Sequence, residues 1–461
     1  MKKRVAFHNL GCRVNTYETE QMLQSFRDHG YEIVDFNEKA EVYVVNTCTV
    51  TRTADKKSRQ MIRRAAGISP GAVVVAVGCA VETGGLGKNE AIADLFLGNL
   101  QKGDIADIVD EYIATGRKPD TEMMPGHAED CPSWIGRDAS LHLKTSTTRA
   151  FVKIQDGCDQ FCTYCIIPYA RGRSRSRDED ETAKEIGDLV KTGVKEVVLT
   201  GIHLSSYGQS ERMSGTDPFD PEPLLSLLAR IDRIEGLSRI RFGSMEPRFI
   251  NKSTAERLAA VKKLCPHFHL SLQSGCDATL RRMNRHYGAE DFRESVLCLR
   301  DAFDRPAVSA DVITGFPGET GEDWETTMEF LRELGLYELH VFPYSERPGT
   351  AAASMPGKLP LAVREERCRE LIAMNAGQSR LFRESFIGDG ESVLWEDAEM
   401  IDGKPCLTGF TERYIRAAMP LDEAKKCGIT GGIITPGAVT GLMNDDVLAF
   451  EPDAGNPDDA A

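Results

Sequence analysis

Cys158-Asp159-Gln160-Phe161-Cys162-Thr163-Tyr164-Cys165 holds three thiols, separated by three residues and then by two. One short loop with this spacing can aim three thiolates at a single iron–sulfur cluster. A four-iron cluster held by three cysteines keeps one iron without a protein ligand. Such an iron can chelate the amino and carboxylate groups of a small molecule. Structural zinc usually takes four closed ligands, and no fourth Cys or His lies in this loop. A zinc site, or three unrelated buried thiols, is the competing reading.

Three further cysteines share a different regularity. Arg4–Leu10, Val42–Asn46 and the Val-rich Ala72–Val77 read as strands, and Tyr17–His29 and Lys56–Ala66 as helices between them. That alternation predicts a parallel sheet with helices on both faces, and ligands beyond the carboxyl ends of its strands. Cys12, Cys48 and Cys79 each lie just past one of those ends. One cysteine so placed is usually core packing. Three in equivalent positions point to a shared ligand. Cys131, Cys265, Cys276, Cys298, Cys368, Cys406 and Cys427 have no ligand spacing and read as buried or partly buried thiols.

The elements positioning the central loop form a second α/β series. Its strands are Phe151–Gln155, Glu196–Thr200, Arg239–Gly243, His267–Leu272, Ala307–Ile313 and Glu338–Phe342, with helices between most of them. Six βα units predict an open or partial barrel with its site at the carboxyl ends. Short strands between Gly, Asp and Pro turns from about Gly388 to Phe450 predict a small all-β barrel of a kind that often binds RNA. The expected fold class is therefore α/β with a C-terminal β-barrel. Its parts are a doubly wound parallel-sheet domain over 1–118, a linker over 119–145, a core over 146–376, the barrel over 377–450 and a disordered tail over 451–461.

Composition limits the function classes. The chain has 461 residues, 13 cysteines and a net charge of −15, which argues against non-specific polyanion binding and leaves any nucleic-acid contact to local basic patches. No run of about 18 apolar residues suggests a membrane span. Polar His8-Asn9 interrupts the N-terminal apolar stretch, so the core of a signal peptide is missing and a cytoplasmic location is expected. A reducing compartment leaves metal binding, catalysis or burial for the thiols.

The cysteine loop, with Val152-Lys153-Ile154-Gln155-Asp156-Gly157 before it and Ile166-Ile167-Pro168-Tyr169-Ala170-Arg171-Gly172 after it, is similar to the radical S-adenosylmethionine signature. Leu10-Gly11-Cys12, Asn46-Thr47-Cys48-Thr49-Val50-Thr51 and Gly78-Cys79 narrow the resemblance to the methylthiotransferase family, over essentially the whole chain to about residue 450. Gly11-Cys12-Arg13-Val14-Asn15, the Cys48 segment and Asp55-Lys56-Lys57-Ser58-Arg59-Gln60 most resemble the branch acting on N6-threonylcarbamoyladenosine-37 of tRNA. Gly78-Cys79-Ala80-Val81-Glu82 departs from that pattern after the cysteine, where an aromatic and then a Gln are expected.

The resemblance implies two four-iron clusters, one on Cys158, Cys162 and Cys165 and one on Cys12, Cys48 and Cys79, with S-adenosylmethionine on the open iron of the first. It places Tyr164 near the adenine, and Thr200, Gly201, Ser244, Glu246, Gln273 and Asp311 at strand ends as candidate cofactor contacts. Turn chemistry or a structural hydrogen bond is the alternative for each. His203 and His269 are expected to be structural. The implied partners are the tRNA anticodon stem-loop and a reductant such as flavodoxin or ferredoxin, with the chain a monomer. The alternatives are isopentenyladenosine-37 or a ribosomal-protein aspartate as acceptor, or a non-catalytic iron–sulfur carrier or RNA-binding sensor.

Two basic clusters flank the chemistry. Arg171, Arg173, Arg175 and Arg177 alternate after the loop, which in extended backbone sets them on one side. Arg52, Lys56, Lys57, Arg59, Arg63 and Arg64 follow Cys48. Both could contact phosphates, and Arg59 or Arg173 could pair with the threonyl carboxylate as a guanidinium fork. The C-terminal barrel resembles the family's RNA-binding (TRAM-like) domain, with Arg413, Tyr414 and Arg416 as candidate contacts.

Overall fold

A computed structural model describes residues 2–86, 92–118, 148–209 and 219–453, and every count below is of those residues. Five parallel strands form the N-terminal sheet: β1 (Arg4–Asn9), β2 (Glu32–Val34), β3 (Val42–Thr47), β4 (Val73–Gly78) and β5 (Leu95–Leu97), in the order β2-β1-β3-β4-β5. The helices are α1 (Arg13–Asp28), α2 (Arg52–Ile68), the short α3 (Cys79–Glu82) and α4 (Ile105–Thr115). Strand β3 is buried along its whole length. Its period of two sends Val42 and Val44 to one face with Met22, Phe26 and Val109, and Tyr43 and Val45 to the other with Ile62 and Ala65. Each such Val contributes about 1.5–3 kcal/mol of burial. Helix α2 starts where Thr51 accepts a hydrogen bond from the Ala54 amide at 3.1 Å, a side-chain N-cap.

The central region carries β6 (Arg149–Lys153), the two-residue strands β7 (Gln155–Asp156) and β8 (Arg175–Ser176), β9 (Glu196–Thr200), β10 (Arg239–Phe242), β11 (Ser244–Met245), β12 (His267–Gln273), β13 (Ala307–Thr314) and β14 (Glu338–Pro343). Parallel pairing gives two arcs, β6-β9-β10 and β11-β12-β13-β14, which break at Gly243 within one strand. The result is a partial barrel of six βα positions. Helices α5 (Ile167–Arg171), α6 (Glu179–Lys191), α7 (Glu222–Ile231), α8 (Lys252–Ala259), α9 (Asp277–Arg282), α10 (Ala289–Ala302), α11 (Gly321–Leu334) and α12 (Leu361–Glu384) follow in chain order. One feature has no counterpart in the sequence reading: β7 and β8 pair antiparallel, Gln155 with Ser176 and Asp156 with Arg175, and so tie the cysteine loop at its base.

Helix α12 runs straight through the boundary expected at 376/377. After it, β15 (Gly390–Ile401), β16 (Lys404–Thr411), β17 (Arg416–Pro420), β18 (Ile434–Asn444) and β19 (Val447–Pro452) close into a five-stranded barrel, ordered β15-β16-β17-β19-β18. Helix α13 (Leu421–Lys426) follows β17. Strand β19 takes Glu451 and Pro452 out of the expected tail, because Gly437 and Ala438 pair with them. The linker expected over 119–145, with Cys131, lies outside the described residues, as does the tail from 454.

The C-terminal barrel plugs the amino-terminal end of the partial barrel. Arg239, at the start of β10, donates to the carbonyls of Phe410 and Ser392 at 2.9 and 2.8 Å, and Arg241 to that of Glu412 at 2.9 Å. The carboxyl ends therefore remain for chemistry. No described helix is long and apolar enough to cross a membrane.

Candidate functional site

The central cysteine loop leaves β7 through Gly157, whose φ of +70° and surroundings exclude a side chain: a Cβ would stand 1.8 Å from the Arg173 carbonyl oxygen. Cys158, Cys162 and Cys165 converge closely enough for their charges to act on one another. Burial, then the neighbouring thiols, push Cys158 well above its ordinary range, and the same causes bring Cys165 up to about 12. Three thiolates in such a place need a cationic centre. Arg285, after α9, donates to the Cys162 sulfur at 3.1 Å.

Cys12, Cys48 and Cys79 follow β1, β3 and β4, which are adjacent in the sheet, so their thiols meet at one edge. Gly11 is held tight against them, since a Cβ there would lie 2.8 Å from Cys48 Cβ and 2.9 Å from its sulfur. Burial first, and the other two thiols, raise Cys48 to about 11. Cys12 is surface-accessible, yet the protein around it also raises its thiol. The Asn99 amide joins this corner to the cysteine loop, donating to Cys79 at 3.6 Å and to the Ala170 carbonyl at 2.8 Å.

Among the described residues, the one set of three potential ligand atoms mutually within 4.8 Å is His269, Asp311 and His340. Neither cysteine triplet closes that far. Zn–S bonds of about 2.3 Å would draw thiolates to within about 4 Å of one another. Three thiols per triplet, rather than the four closed ligands of structural zinc, suit a four-iron cluster with one open iron.

A buried ionic network holds the two triplets in register. Glu18 of α1 accepts from Lys102 at 2.5 Å, from Lys153 at the end of β6 at 2.8 Å, and from Arg171 at 2.8 and 3.0 Å. Asp156, beside the loop, pairs with Lys153, Arg171 and Arg175 at 3.2, 3.1 and 2.9 Å. Arg171 also donates to Asn15 Oδ1 at 2.8 Å, and Asn15 in turn donates to the carbonyls of Leu10 and Thr47. On the far side Arg347, beyond β14, pairs with Asp55 of α2 at 2.6 Å and donates to Thr49. The N-terminal domain thus bridges both edges of the open barrel.

At the strand ends, Thr200 is buried, and Gly201 packs so close to Gln155 that a Cβ would lie 2.8 Å from its amide oxygen. Ser244 Oγ lies 2.9 Å from Ser271 Oγ. Glu246 is 2% exposed and contacts His203 Nε2 at 2.8 Å and Arg248. Burial opposes its ionisation, but the His203 hydrogen bond and the charges of Arg285 and Arg248 prevail, lowering it to about 2. Gln273 ends β12 at φ +74° beside a register shift, an uncommon backbone for a non-glycine residue. Asp311 pairs with His269 at 3.1 Å and His340 at 3.6 Å. Tyr164 packs edge-on to Phe316 at 6.3 Å.

The basic residues divide. Arg63 is exposed, and Arg173 is 59% exposed at its side chain, paired with Asp159 and lying over the Phe161 ring. Arg59 donates to the Gly85 carbonyl. Arg171, expected on an RNA-facing side, is instead fully buried in the ionic network. Arg177 is buried on Glu185, and Arg175 is turned to Asp156 and the Arg171 carbonyl. The backbone is the reason: α5 ends at Arg171 and Gly172 turns at φ +76°, so 171–177 is not one extended run. Arg413 also faces inward, onto Glu391 at 2.7 Å and the carbonyls of Asp304 and Arg305. Tyr414 stacks on Phe410 and lies tilted against His267, and Arg416 pairs with Glu399. Cys427 is exposed rather than buried. His203 and His269 are hydrogen-bonded, to Ser206 and Ser309 as well as to their carboxylates. Arg285, Glu18 and Asn99 were not singled out from the sequence. Each acts through a partner far along the chain, and no local spacing marks it.

Residues 152–331 match the radical SAM superfamily, and residues 4–98 match a family described as "Uncharacterized protein family UPF0004". Together with the three-cysteine loop after the first strand of a partial parallel barrel, the match defines a radical S-adenosylmethionine enzyme. The chain is 38% identical over 418 residues to the threonylcarbamoyladenosine tRNA methylthiotransferase MtaB of Bacillus subtilis, covering 89% of each chain. It is 34% identical over 433 residues to the tRNA-2-methylthio-N(6)-dimethylallyladenosine synthase of Moorella thermoacetica, covering 92% of this chain and 93% of that one. The solved radical S-adenosylmethionine methyltransferase TsrM of Kitasatospora setae shares the fold, with a TM-score of 0.55 at 15% identity over 74% of this chain and 73% of that one. The chain belongs to the radical S-adenosylmethionine tRNA methylthiotransferase family. Such enzymes use a four-iron cluster and S-adenosylmethionine, and Cys158, Cys162 and Cys165 are the residues that fit the cluster.

Proposed function

We propose that this enzyme methylthiolates C2 of N6-threonylcarbamoyladenosine at position 37 of tRNA, with a second four-iron cluster on Cys12, Cys48 and Cys79. The observation that carries the reading is the joining of two open cysteine triplets across one buried seam, through Glu18, Arg171 and Asn99. Relatives named for the threonylcarbamoyl base at 38% identity over most of the chain support the choice of acceptor. When bound, the first cluster and S-adenosylmethionine supply the one-electron and methyl-donor chemistry.

The chain's own residues set the conditions. Arg285 places its positive charge on the Cys162 sulfur. Glu246, held ionised by its neighbours, offers an acceptor at the carboxyl end of the barrel. Glu18 and Asp156 keep Arg171 rigid between the triplets, and its charge acts on Cys12, Cys48 and Cys79. For the RNA, exposed Arg63 and Arg173 offer phosphate contacts. Exposed Phe161 and Tyr169, edge to face at 6.1 Å beside the loop, offer stacking surface for bases. Phe161 is presented at φ +46°, with its carbonyl accepting from Asn284 at 3.2 Å.

The test is nucleoside mass spectrometry after anaerobic incubation of the reconstituted enzyme with dithionite and S-adenosylmethionine. Two tRNAs are offered separately, one carrying threonylcarbamoyladenosine and one isopentenyladenosine. Methylthio product on the first alone is expected. Product on the second alone overturns the acceptor, and product on neither overturns the reading. Replacing Cys12, Cys48 and Cys79 together by Ala should leave about four of roughly eight irons per chain. Unchanged iron would exclude the second cluster.

A further inference from the structure

The bore of the partial barrel carries more positive charge than its own carboxylates match. Glu196, at the start of β9, is shared by Arg149 of β6 at 2.5 Å and Arg241 of β10 at 3.0 and 3.2 Å. Arg149 reaches Glu396 of the plug as well, at 3.1 Å. Beside them, at the starts of β6 and β12, Arg149 Nη2 and His267 Nδ1 are buried with no hydrogen-bond partner. Native proteins rarely tolerate such orphans unless a water or ligand meets them.

Arg13 adds a further guanidinium. It is the first residue of α1, next to Cys12, and α1 packs along β6 at the barrel's open edge. Its charge acts on Arg149, Glu196, Arg241 and Tyr414, and on His267 of β12 and His340 of β14. Those residues come from strands around the whole barrel and from its plug, and only the bore lies near all of them. Among the described residues Arg13 forms no hydrogen bond and no ion pair. Arg13 is partly buried, and a guanidinium, which is always charged, is costly to hold there unpaired. Asp311 does not answer it, being paired with His269 and His340. Those three have the spacing of a single-ion site, but the Arg13 charge beside His340 disfavours a cation there.

We propose that Arg13 marks an anion subsite in the bore that receives the carboxylate of the threonyl group on the substrate base. The inference rests on the acceptor proposed above and deepens it. The two candidate bases differ in what they carry on N6: one bears a carboxylate, the other a hydrocarbon. A guanidinium fork matches a carboxylate in shape and charge, whereas a hydrocarbon group would seal Arg13 and the orphan Arg149 Nη2 away from water unpaired. One subsite thus attracts the correct base and repels its analogue, which is how specificity is commonly built. It takes the role that the sequence suggested for Arg59 or Arg173. Arg59 is engaged by the Gly85 carbonyl, and Arg173 lies at the surface on Asp159.

The experiment compares two tRNAs, one with threonylcarbamoyladenosine and one with the same nucleoside carrying its carboxylate as the neutral amide. Both kcat/KM for methylthiolation and the equilibrium Kd without S-adenosylmethionine are measured for wild type, Arg13→Gln and Arg13→Lys, with iron content as the check on the Cys12 corner. A charge-assisted hydrogen bond predicts that wild type favours the acid by roughly 10- to 100-fold. Arg13→Gln should bring that ratio close to one, and Arg13→Lys should keep part of it. A wild type that does not distinguish acid from amide overturns the inference without any variant. An Arg13→Gln enzyme that keeps the ratio while its KM for S-adenosylmethionine rises assigns the anion to the cofactor and also overturns it. Wild type acting on isopentenyladenosine alone removes the acceptor reading and this inference together.

Discussion

Glu18 faces three cations in a place water does not reach. Its side chain is 2% exposed, those of Lys102 and Arg171 are fully enclosed, and that of Lys153 is 3% exposed. Glu18→Gln keeps the shape and removes the charge. Lys153 and Arg171 would still have Asp156, but Lys102 has no other ion-pair partner among the described residues, with Glu82 acting on it only at longer range. Leaving a buried charge uncompensated costs about 3–5 kcal/mol. At about 2–4 °C per kcal/mol for a domain of 150–250 residues, the apoprotein's Tm should fall by roughly 6–20 °C. The assay is thermal unfolding by circular dichroism, with Glu18→Gln/Lys102→Met as the partner variant, which should recover much of the loss because the stranded charge is gone. The sign with pH follows from the carboxyl's depressed value. Burial opposes ionisation, but Arg171, Lys102 and Lys153 outweigh it. The contribution is therefore complete above the unfolded carboxyl's range near pH 4.3 and is lost as pH falls through the lower folded value. A Tm within about 2 °C of wild type at pH 7, or a double variant no better than the single, would refute the reasoning.

The remaining predictions concern single residues. Arg413→Ala should cost about 2–3 kcal/mol of stability through its lost bonds to Glu391 and two carbonyls, while the Kd for tRNA stays the same; a weakened Kd with an unchanged Tm would return Arg413 to the RNA surface. Glu246, lowered to about 2, should contribute about 3 kcal/mol above pH 4.5 and lose it between there and pH 2. Denaturant titrations of Glu246→Gln and wild type should accordingly differ at pH 7 and converge near pH 2, and a constant gap would exclude the ionic role. Arg173→Ala should weaken tRNA binding and flatten the log Kd against log salt slope by about 1 if it meets a phosphate; an unchanged slope would leave it as a surface partner of Asp159.

The cysteine pattern was legible because its determinants are local. Spacing within 158–165 and position just past a Val-rich strand survive any tertiary arrangement that keeps the strands parallel. The six barrel strands were legible for the same reason, as buried parallel strands read as apolar runs. The misread residues are those whose surroundings come from elsewhere. Alternating arginines imply one face only if the backbone is extended, and α5 and Gly172 prevent that. Arg413 and Tyr414 look like surface contacts until the plug brings Asp304, Arg305 and His267 against them. Helix α12 crosses its expected boundary because α-helical hydrogen bonding continues through Gly377, whose cost of about 1 kcal/mol in a helix the surrounding turns absorb, and no Pro stands near it.

Sequence alone marked six candidate cysteines, two kinds of spacing, and the strands that carry them. Folding brought Glu18 to Arg171, 153 residues apart, and Asp55 to Arg347, and so turned two separate triplets into one seam. It also set Arg13, partly buried at the start of α1, within reach of the charges of Arg149, Glu196 and Arg241. The physical reason is that ligand spacing is written in covalent geometry, whereas burial and charge pairing depend on which distant segments pack together. An arginine therefore has no assignable role until its neighbours are known.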